Sequence, residues 1–412
     1  MRQIKIGVIG GGASGMTAAI AAAGEGAAVT LIEGGERVGK KLLSTGNGKC
    51  NLGNLQLSAD AYYGADREWL ADCLARFGSE DTIRFFRGMG LLVKEKNGYL
   101  YPLAEQASVV LDVLRAELRA LGVEPVTECR VDTVSRDEEG GFAVSAGKRT
   151  FKFDRVILAC GSKAAPKTGS DGSGYFLAER LGHAIIPVLP ALVQLRCREP
   201  YLKEVAGVRA EALLREPSCG IEESGELQLT DYGISGIPVF QMSRRVNTIL
   251  RERGKGSELE LCVNLLPDCN EEAFAGLCAG RRLLQTERTA EEFFTGILNK
   301  KLMLLFMKLA GIRRDMPIAQ VENGRIDRVF ALCRDWRLHV TGSNSYDNAQ
   351  VCAGGVDTAQ VGRNMESLLV PGLFFAGEIL DVDGRCGGYN LQWAWCSGQL
   401  AGKAAAARSL GL

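Results

Sequence analysis

The chain opens on an unbroken apolar run, "IKIGVIG", of the kind found in strands buried on both faces of a parallel sheet. Glycines follow at once. "MTAAIAAAGEGA" then reads as a small-sided helix and "AVTLIEGG" as a second strand, giving strand, glycine turn, helix and strand within the first thirty-odd residues. Residues 66–92 carry helical spacing, and so do 106–121, with a start near Ala107-Ser108 and a stop at Gly122. From 123 to 161 the period shortens to that of strands, in "VEPVTECRVDTVSRD", "GFAVSAG" and "RTFKFDRVILACG" around Gly140-Gly141. That predicts a β-meander leading into another buried strand, which ends in a small-residue turn. "TGSDGSGYFLAERLGH" continues as a helix closed by Gly182.

The pattern changes at Pro187 and Pro190. Strand-like segments run to about 265, "PDCNEEAFAGL" to "MKLAGI" is mostly helical with charged faces, and strand returns around "VENGRIDRVFALCRDWRLHVTG". Ser235-Gly236, just before a proline-started helix, offers a helix N-terminus inside this stretch. Buried strand text resumes with "GLFFAGE". A chain of 412 residues exceeds what one core usually supports. The predicted organisation is therefore a first domain split between 1–189 and 343–412, around an insert at 190–342 whose helical part lies at about 268–318.

Chemistry enters through the glycines. Gly10, Gly12 and Gly15 fill the G-x-G-x-x-G positions between strand and helix, and Glu33 ends the second strand 18 residues past Gly15. Glycine permits the tight turn and lets backbone approach a pyrophosphate, while the acid suits ribose hydroxyls. A second glycine loop, "VGKKLLSTGNGKCNLGN", brings Lys40, Lys41 and Lys49, and its place beyond the ribose acid favours phosphate contact over a merely solvated basic loop. "GGYNLQWAWCSGQLAG", 387–402, holds no charged residue. Small residues at Ala394, Gly398, Ala401 and Ala405 predict a buried helix, and Gly387-Gly388 before it leaves N–H groups free to face a ligand.

Lysine plus arginine equals aspartate plus glutamate at 49 each, and no polybasic run occurs. This removes the electrostatic case for nucleic acid or anionic membrane and leaves a small-molecule substrate as the expected partner. The leading apolar segment is too short for a signal sequence, no stretch of about 18 apolar residues occurs, and a cytoplasmic location is expected. The 13 cysteines include no C-x-x-C spacing. They read as small buried hydrophobes, with no metal site. His183, just past the Gly182 cap, reads as structural, and His339 is the other of only two histidines. Redox chemistry must therefore come from a bound cofactor.

The words Gly10-Gly11-Gly12-Ala13-Ser14-Gly15, "GKKLLSTGNGKCN", "PALVQL", "GGV", "FFAGEILDVDG" and "GGYNLQWAWCSG" together resemble the BaiN and aminoacetone oxidase-like family of FAD-dependent flavoproteins. The resemblance implies an α/β fold: a Rossmann-like, glutathione-reductase-like FAD-binding domain with an inserted β-barrel plus helical subdomain, the insert covering the flavin's substrate face. It places Gly10, Gly12, Ala13, Ser14 and Gly15 at the FAD pyrophosphate and Glu33 at the adenosine ribose. Lys41, Gly46, Asn47, Gly48, Cys50 and Asn51 of the second loop, and Ala159, Cys160 and Gly161 of the strand-end turn, also belong to its cofactor site. Val131 would meet adenine through its backbone, Glu378 the ribityl chain, and Asn390 and Leu391 the flavin pyrimidine through N–H groups, with Tyr389 beside the ring; Gly377, Asp383 and Gly388 also belong to the cofactor site.

Two departures stand out. Ala159-Cys160-Gly161-Ser162 replaces the usual Ala-Thr-Gly-Gly, and Asp231 stands where histidine is expected. The implied reaction is hydride transfer through flavin N5, reducing a conjugated carbon–carbon double bond in a hydrophobic, bile-acid-like ring. With a single dinucleotide fingerprint present, NAD(P)H would visit as a transient donor. Asp383, Tyr389, Asp231 and Tyr232 are all eligible proton donors. Amine oxidation with oxygen, and a non-catalytic flavin-bound sensor or RNA-modification partner, are the alternatives.

Overall fold

Four of the five residues in strand β1 (Lys5–Ile9) are buried, as a strand covered on both faces requires. In this computed structural model, which describes residues 2–283 and 287–407, β1 is an inner strand of a four-stranded parallel sheet. The others are β2 (Ala28–Ile32), β3 (Arg155–Leu158) and β4 (Leu373–Phe375), in the order β4-β3-β1-β2. Val8 pairs with Ile157 on one side and Leu31 on the other, and Ile157 pairs with Phe374. Helix α1 (Ala13–Gly24) crosses from β1 to β2.

Helix α2 (Tyr389–Ala406) is the neutral aromatic run, and it packs along α1. Its glycines make that approach close: a Cβ on Gly398 would lie 2.6 Å from Ser14 O, and one on Gly402 2.4 Å from Ala18 O. α2 also buries Trp393 and Trp395, whose indole N–H groups donate to Gly377 O at 3.2 Å and Leu52 O at 2.9 Å. Both buried polar tips are thus satisfied.

The chain divides into two compact units, Met1–Leu189 with Ala349–Leu412, and Pro190–Asn348. The first also contains the antiparallel meander Thr133–Arg136, Phe142–Ala146 and Arg149–Phe153. Of the long segment expected as its first strand, only Thr133–Arg136 is strand; upstream, Val126 forms an isolated bridge with Ile32 at the end of β2. The helix expected over 66–92 is two, Arg67–Arg76 and Ser79–Gly88. The break falls at Phe77-Gly78, where the Gly78 N–H donates to Asp81 Oδ2 at 2.9 Å and starts a new helix.

The second unit is built on a closed six-stranded barrel, in the order Leu195–Cys197, Gly233–Gly236, Ile221–Leu229, Arg209–Glu216, Leu259–Asn264 and Trp336–Ser343. Closure leaves no free strand edge. Its core is separate from that of the first unit, with Leu214, Leu261, Leu338, Phe306 and Trp336 all buried in it. The helices are Ile237–Arg253, Glu271–Leu283, Ala290–Phe294, Lys300–Leu309 and Asn323–Arg334; residues 284–286 lie outside the description. Asn323–Arg334 corrects the sequence reading, which expects strand there. Ile326, Val329, Phe330 and Cys333 are its buried positions, a 3–4 residue period that outweighs the local β-branched character. Among the described residues no helix is long and apolar enough to cross a membrane.

Candidate cofactor site

The site lies in the first unit, where β1, β3 and β4 end. The Gly10 N–H donates to Ile32 O at 2.8 Å, and its φ of +106° is one that residues with a side chain rarely adopt. A Cβ there would sit 2.4 Å from Ala159 O, and one on Gly15 only 1.8 Å from Gly10 O. These two glycines let turn, helix and neighbouring strand interlock. Gly12 differs. It caps α1 without a side-chain hydrogen bond, and a Cβ on it would meet nothing within 4 Å. Space is open at the start of α1, and no acidic residue stands in its first turn. An uncapped helix start with room for backbone approach fits a dinucleotide pyrophosphate. Ala13 and Ser14 begin the helix; the buried Ser14 hydroxyl donates to Ala376 O at 3.2 Å, tying α1 to the end of β4.

Glu33, half-buried at the end of β2, organises the turn. Its Oε2 accepts from the Gly11 N–H and its Oε1 from the Gly35 N–H, each at 2.7 Å. A carboxylate has about four lone-pair positions, so about two remain, matching two ribose hydroxyls. The segment carrying Val131 runs beside this point, through Glu33 N–H to Val126 O at 2.9 Å and Cys129 N–H to Glu33 O at 2.9 Å. Val131 is buried just before the meander.

The second glycine loop winds through left-handed backbone at Gly46 (φ 55°), Asn47 (53°), Gly48 (83°) and Cys50 (58°). Burial pushes the Cys50 thiol up to about 12, so it stays protonated. With its amide turned to satisfy its neighbours, Asn51 donates to Gly53 O and Leu100 O and accepts from the Gly388 N–H at 3.3 Å. The loop is thereby fastened to the start of α2. Lys41 Nζ forms an ion pair with Glu378 Oε2 at 2.7 Å, and the buried Ser162 hydroxyl donates to the same oxygen at 3.0 Å. Buried Cys352 lies beside this group, and its thiol is pushed up to about 11, chiefly by burial. Sequence reading finds Lys41 and Glu378 separately. The Ser162 link, made by one of the two residues that depart from the family turn, carries no periodic signal.

At the turn after β3, the Ala159 N–H donates to Ile9 O at 2.8 Å and Gly161 takes a φ of +71°. Burial pushes the Cys160 thiol up to about 12. Gly377 after β4 takes a φ of +79°, its N–H bound to Ser397 Oγ at 2.8 Å. Asp383 is buried in a two-residue strand, Asp383–Gly384, paired with Tyr62–Tyr63. Gly388 caps α2 at φ 93°, and no side chain caps this helix. Asn390 clasps the Gly384 peptide, accepting from its N–H and donating to its C=O, each at 2.8 Å. The Tyr389 ring stands edge-on to Tyr62 at 5.7 Å, and burial raises its phenol pKa. Leu391 completes the uncapped first turn.

Of the eligible proton donors, Asp383 and Tyr389 lie here. Asp231 and Tyr232 belong to the second unit, in the turn between two barrel strands, with the Arg196 guanidinium 5.5 Å from the Tyr232 ring centre. His183 is buried, with Nε2 2.7 Å from Ser367 Oγ and its ring edge-on to Phe375.

Residues 4–404 match the model of the HI0933-like protein Rossmann domain. The chain is 44% identical to a 3-dehydro-bile acid delta(4,6)-reductase of Clostridium scindens, over 98% of this chain and 99% of that one. It is 31% identical to a ribosomal RNA dihydrouridine synthase of Escherichia coli, over 95% of each. Among solved structures, a 3-ketosteroid delta1-dehydrogenase from Sterolibacterium denitrificans shares the fold, with a TM-score of 0.50 at 12% identity over 98% of this chain and 100% of that one. The extent of the family match, along nearly the whole chain, makes this chain a member of the HI0933-like family of Rossmann-fold flavoproteins.

Proposed function

We propose that this flavin-dependent oxidoreductase reduces a carbon–carbon double bond conjugated to a carbonyl in a hydrophobic, steroid-like ring, with a reduced nicotinamide nucleotide as donor. The observation that carries the reading is the 44% identity to a bile-acid delta(4,6)-reductase along nearly the whole of both chains. The dihydrouridine synthase relative points to related chemistry, since the uracil double bond that becomes dihydrouridine is also conjugated to a carbonyl. That likeness supports RNA uridine as the second reading. The even charge balance of this chain favours the small molecule.

Bound FAD supplies two-electron hydride chemistry at its flavin ring. The protein binds and orients. Gly10, Gly12, Ser14 and Gly15 with the start of α1 would receive the pyrophosphate, and Glu33 would accept from the ribose with its remaining lone pairs. Lys41 and Glu378 with Ser162 would border the ribityl chain. The first turn of α2, at Tyr389, Asn390 and Leu391, would direct N–H groups and a partial positive charge at the flavin pyrimidine. Tyr389 Oη keeps its proton through neutral pH because burial disfavours the phenolate, and it is a proton source suited to a substrate enolate.

Anaerobic mixing of FAD-loaded protein with NADH or NADPH should bleach the flavin, and a 3-oxo-4,6-diene bile acid should restore its colour. A flavin that neither nucleotide bleaches refutes the reading. Reoxidation by uridine-containing ribosomal RNA and not by the steroid would establish the second one, and oxygen uptake driven by an amine would replace both.

A further inference from the structure

The strands Val93–Lys96 and Tyr99–Pro102 form a hairpin that turns through Asn97-Gly98, both at positive φ (54° and 84°). Two such residues make the tight turn whose twist matches paired strands. The register sets Lys94 opposite Tyr101 and Lys96 opposite Tyr99. Opposed residues share a face, so two ammonium groups and two phenol rings lie together, with Glu95 and Leu100 on the reverse.

Lys49, from the second glycine loop, closes the same face. Its Nζ meets Glu105 Oε2 at 2.8 Å, while Lys94 Nζ meets Glu105 Oε1 at 2.5 Å. Together these groups border a cavity of about 250 Å³ lined by Lys49, Lys96, Asn97, Tyr99, Tyr101 and Glu105. Three ammonium groups face one carboxylate, and the exposed Lys96 makes no ion pair among the described residues. Positive charge is left over. The cavity also adjoins the start of α2: a Cβ on Gly387 would lie 2.8 Å from the Tyr99 ring and 3.4 Å from that of Tyr389.

Phenol faces stack on a purine, and ammonium groups hold phosphates. We infer that this hairpin face, with Lys49, docks the adenosine-phosphate half of the reduced nicotinamide dinucleotide beside the first turn of α2. The assignment rests on the proposed reaction, which needs such a donor in a chain with a single dinucleotide fingerprint. The cavity is smaller than the roughly 300–1,000 Å³ of a typical whole-ligand pocket, so it suits one half of the dinucleotide and leaves the nicotinamide half to extend. A short basic patch on a chain of balanced charge favours a small nucleotide over an RNA strand, which needs a continuous basic track.

The test uses oxidised, FAD-loaded protein and the probes ADP and 2′,5′-ADP, which cannot transfer hydride, followed by calorimetric titration. Wild type should bind at least one of them. Lys96→Glu and Tyr99→Ser, both at exposed positions, should weaken it by about tenfold or more, the scale of one lost charged contact, with flavin content and spectrum unchanged. KM for the nicotinamide donor should rise alongside, while KM for the oxidising substrate stays put. Absence of binding by both probes, or equal binding by wild type and variants, overturns the assignment. Binding of oligouridylate without ADP overturns it in favour of RNA. Bleaching by NAD(P)H that is equal in wild type and variants sinks the docking site and leaves the reaction standing. A flavin that no nicotinamide nucleotide bleaches sinks the reaction, and the donor assignment with it.

Discussion

Replacing Glu33 by Gln tests whether one carboxylate shapes the glycine turn and also holds the cofactor. Both carboxylate oxygens accept backbone N–H groups at 2.7 Å, from Gly11 and Gly35. Gln has a single carbonyl oxygen, so one N–H keeps a neutral acceptor and the other faces an amide NH2 that is itself a donor. A hydrogen bond to a charged group contributes about 1.5–3 kcal/mol, and the half-exposed site puts this one near the lower end because water can hydrate the orphaned N–H. A loss of roughly 2 kcal/mol corresponds to about a 30-fold change in an equilibrium constant. Urea unfolding of the apoprotein should show the cost with no cofactor present. Fluorescence titration with FAD should show a further loss, since the ribose finds fewer acceptors. Apoprotein stability equal to wild type would refute the anchoring role; FAD affinity that falls no further than the stability loss explains would refute the ribose role.

Leu391→Asp sets a carboxylate in the uncapped first turn of α2, where the helix end carries about half a positive charge worth about 0.3–2 kcal/mol. At about 30 mV per 1.4 kcal/mol for two electrons, the flavin midpoint potential should fall by tens of millivolts in a redox titration; coincident midpoints mean that the turn does not face the flavin. Burial lowers the His183 pKa below its ordinary value of about 6.5, so as pH falls through that value the unfolded chain takes up a proton that the folded one does not. Stability should therefore decline with acid from about pH 6.5 downward, and His183→Gln should remove this part of the decline from urea midpoints measured between pH 7 and 5.5.

Much of the parallel sheet is legible in the sequence because its signals are local. An apolar strand, a glycine turn and a small-sided helix lie within residues 4 to 24, and the structure forms them there. Asn323–Arg334 misleads because Val321 and the strand that begins at Trp336 flank it with extended text, while its helical period shows only over a full window. The break at Gly78 needs the reach of Asp81, which sequence spacing permits without requiring. In the candidate site, the glycines and Glu33 announce themselves by spacing, but the engagement of both Glu33 oxygens by Gly11 and Gly35 does not. Neither does the meeting of Lys41, Ser162 and Glu378. The first depends on how the turn folds back on one carboxylate, and the second joins segments 216 and 337 residues apart, which no periodicity records.

The close seating of α2 on α1 has a consequence for how the chain is made. The Ser14 hydroxyl finds its acceptor on Ala376, 362 residues later, and Gly398 and Gly402 press against α1 only beyond that. At about 5–20 residues per second, roughly 20–80 s of synthesis separates the fingerprint glycines from the helix that packs over α1. Through that interval the nascent chain carries the glycine turn with one wall missing, and the small apolar face of α1 stays open to solvent or to a chaperone. Cofactor loading therefore belongs to the end of translation, and a ribosome that stalls before α2 releases a flavin-free chain that exposes a ready surface for aggregation.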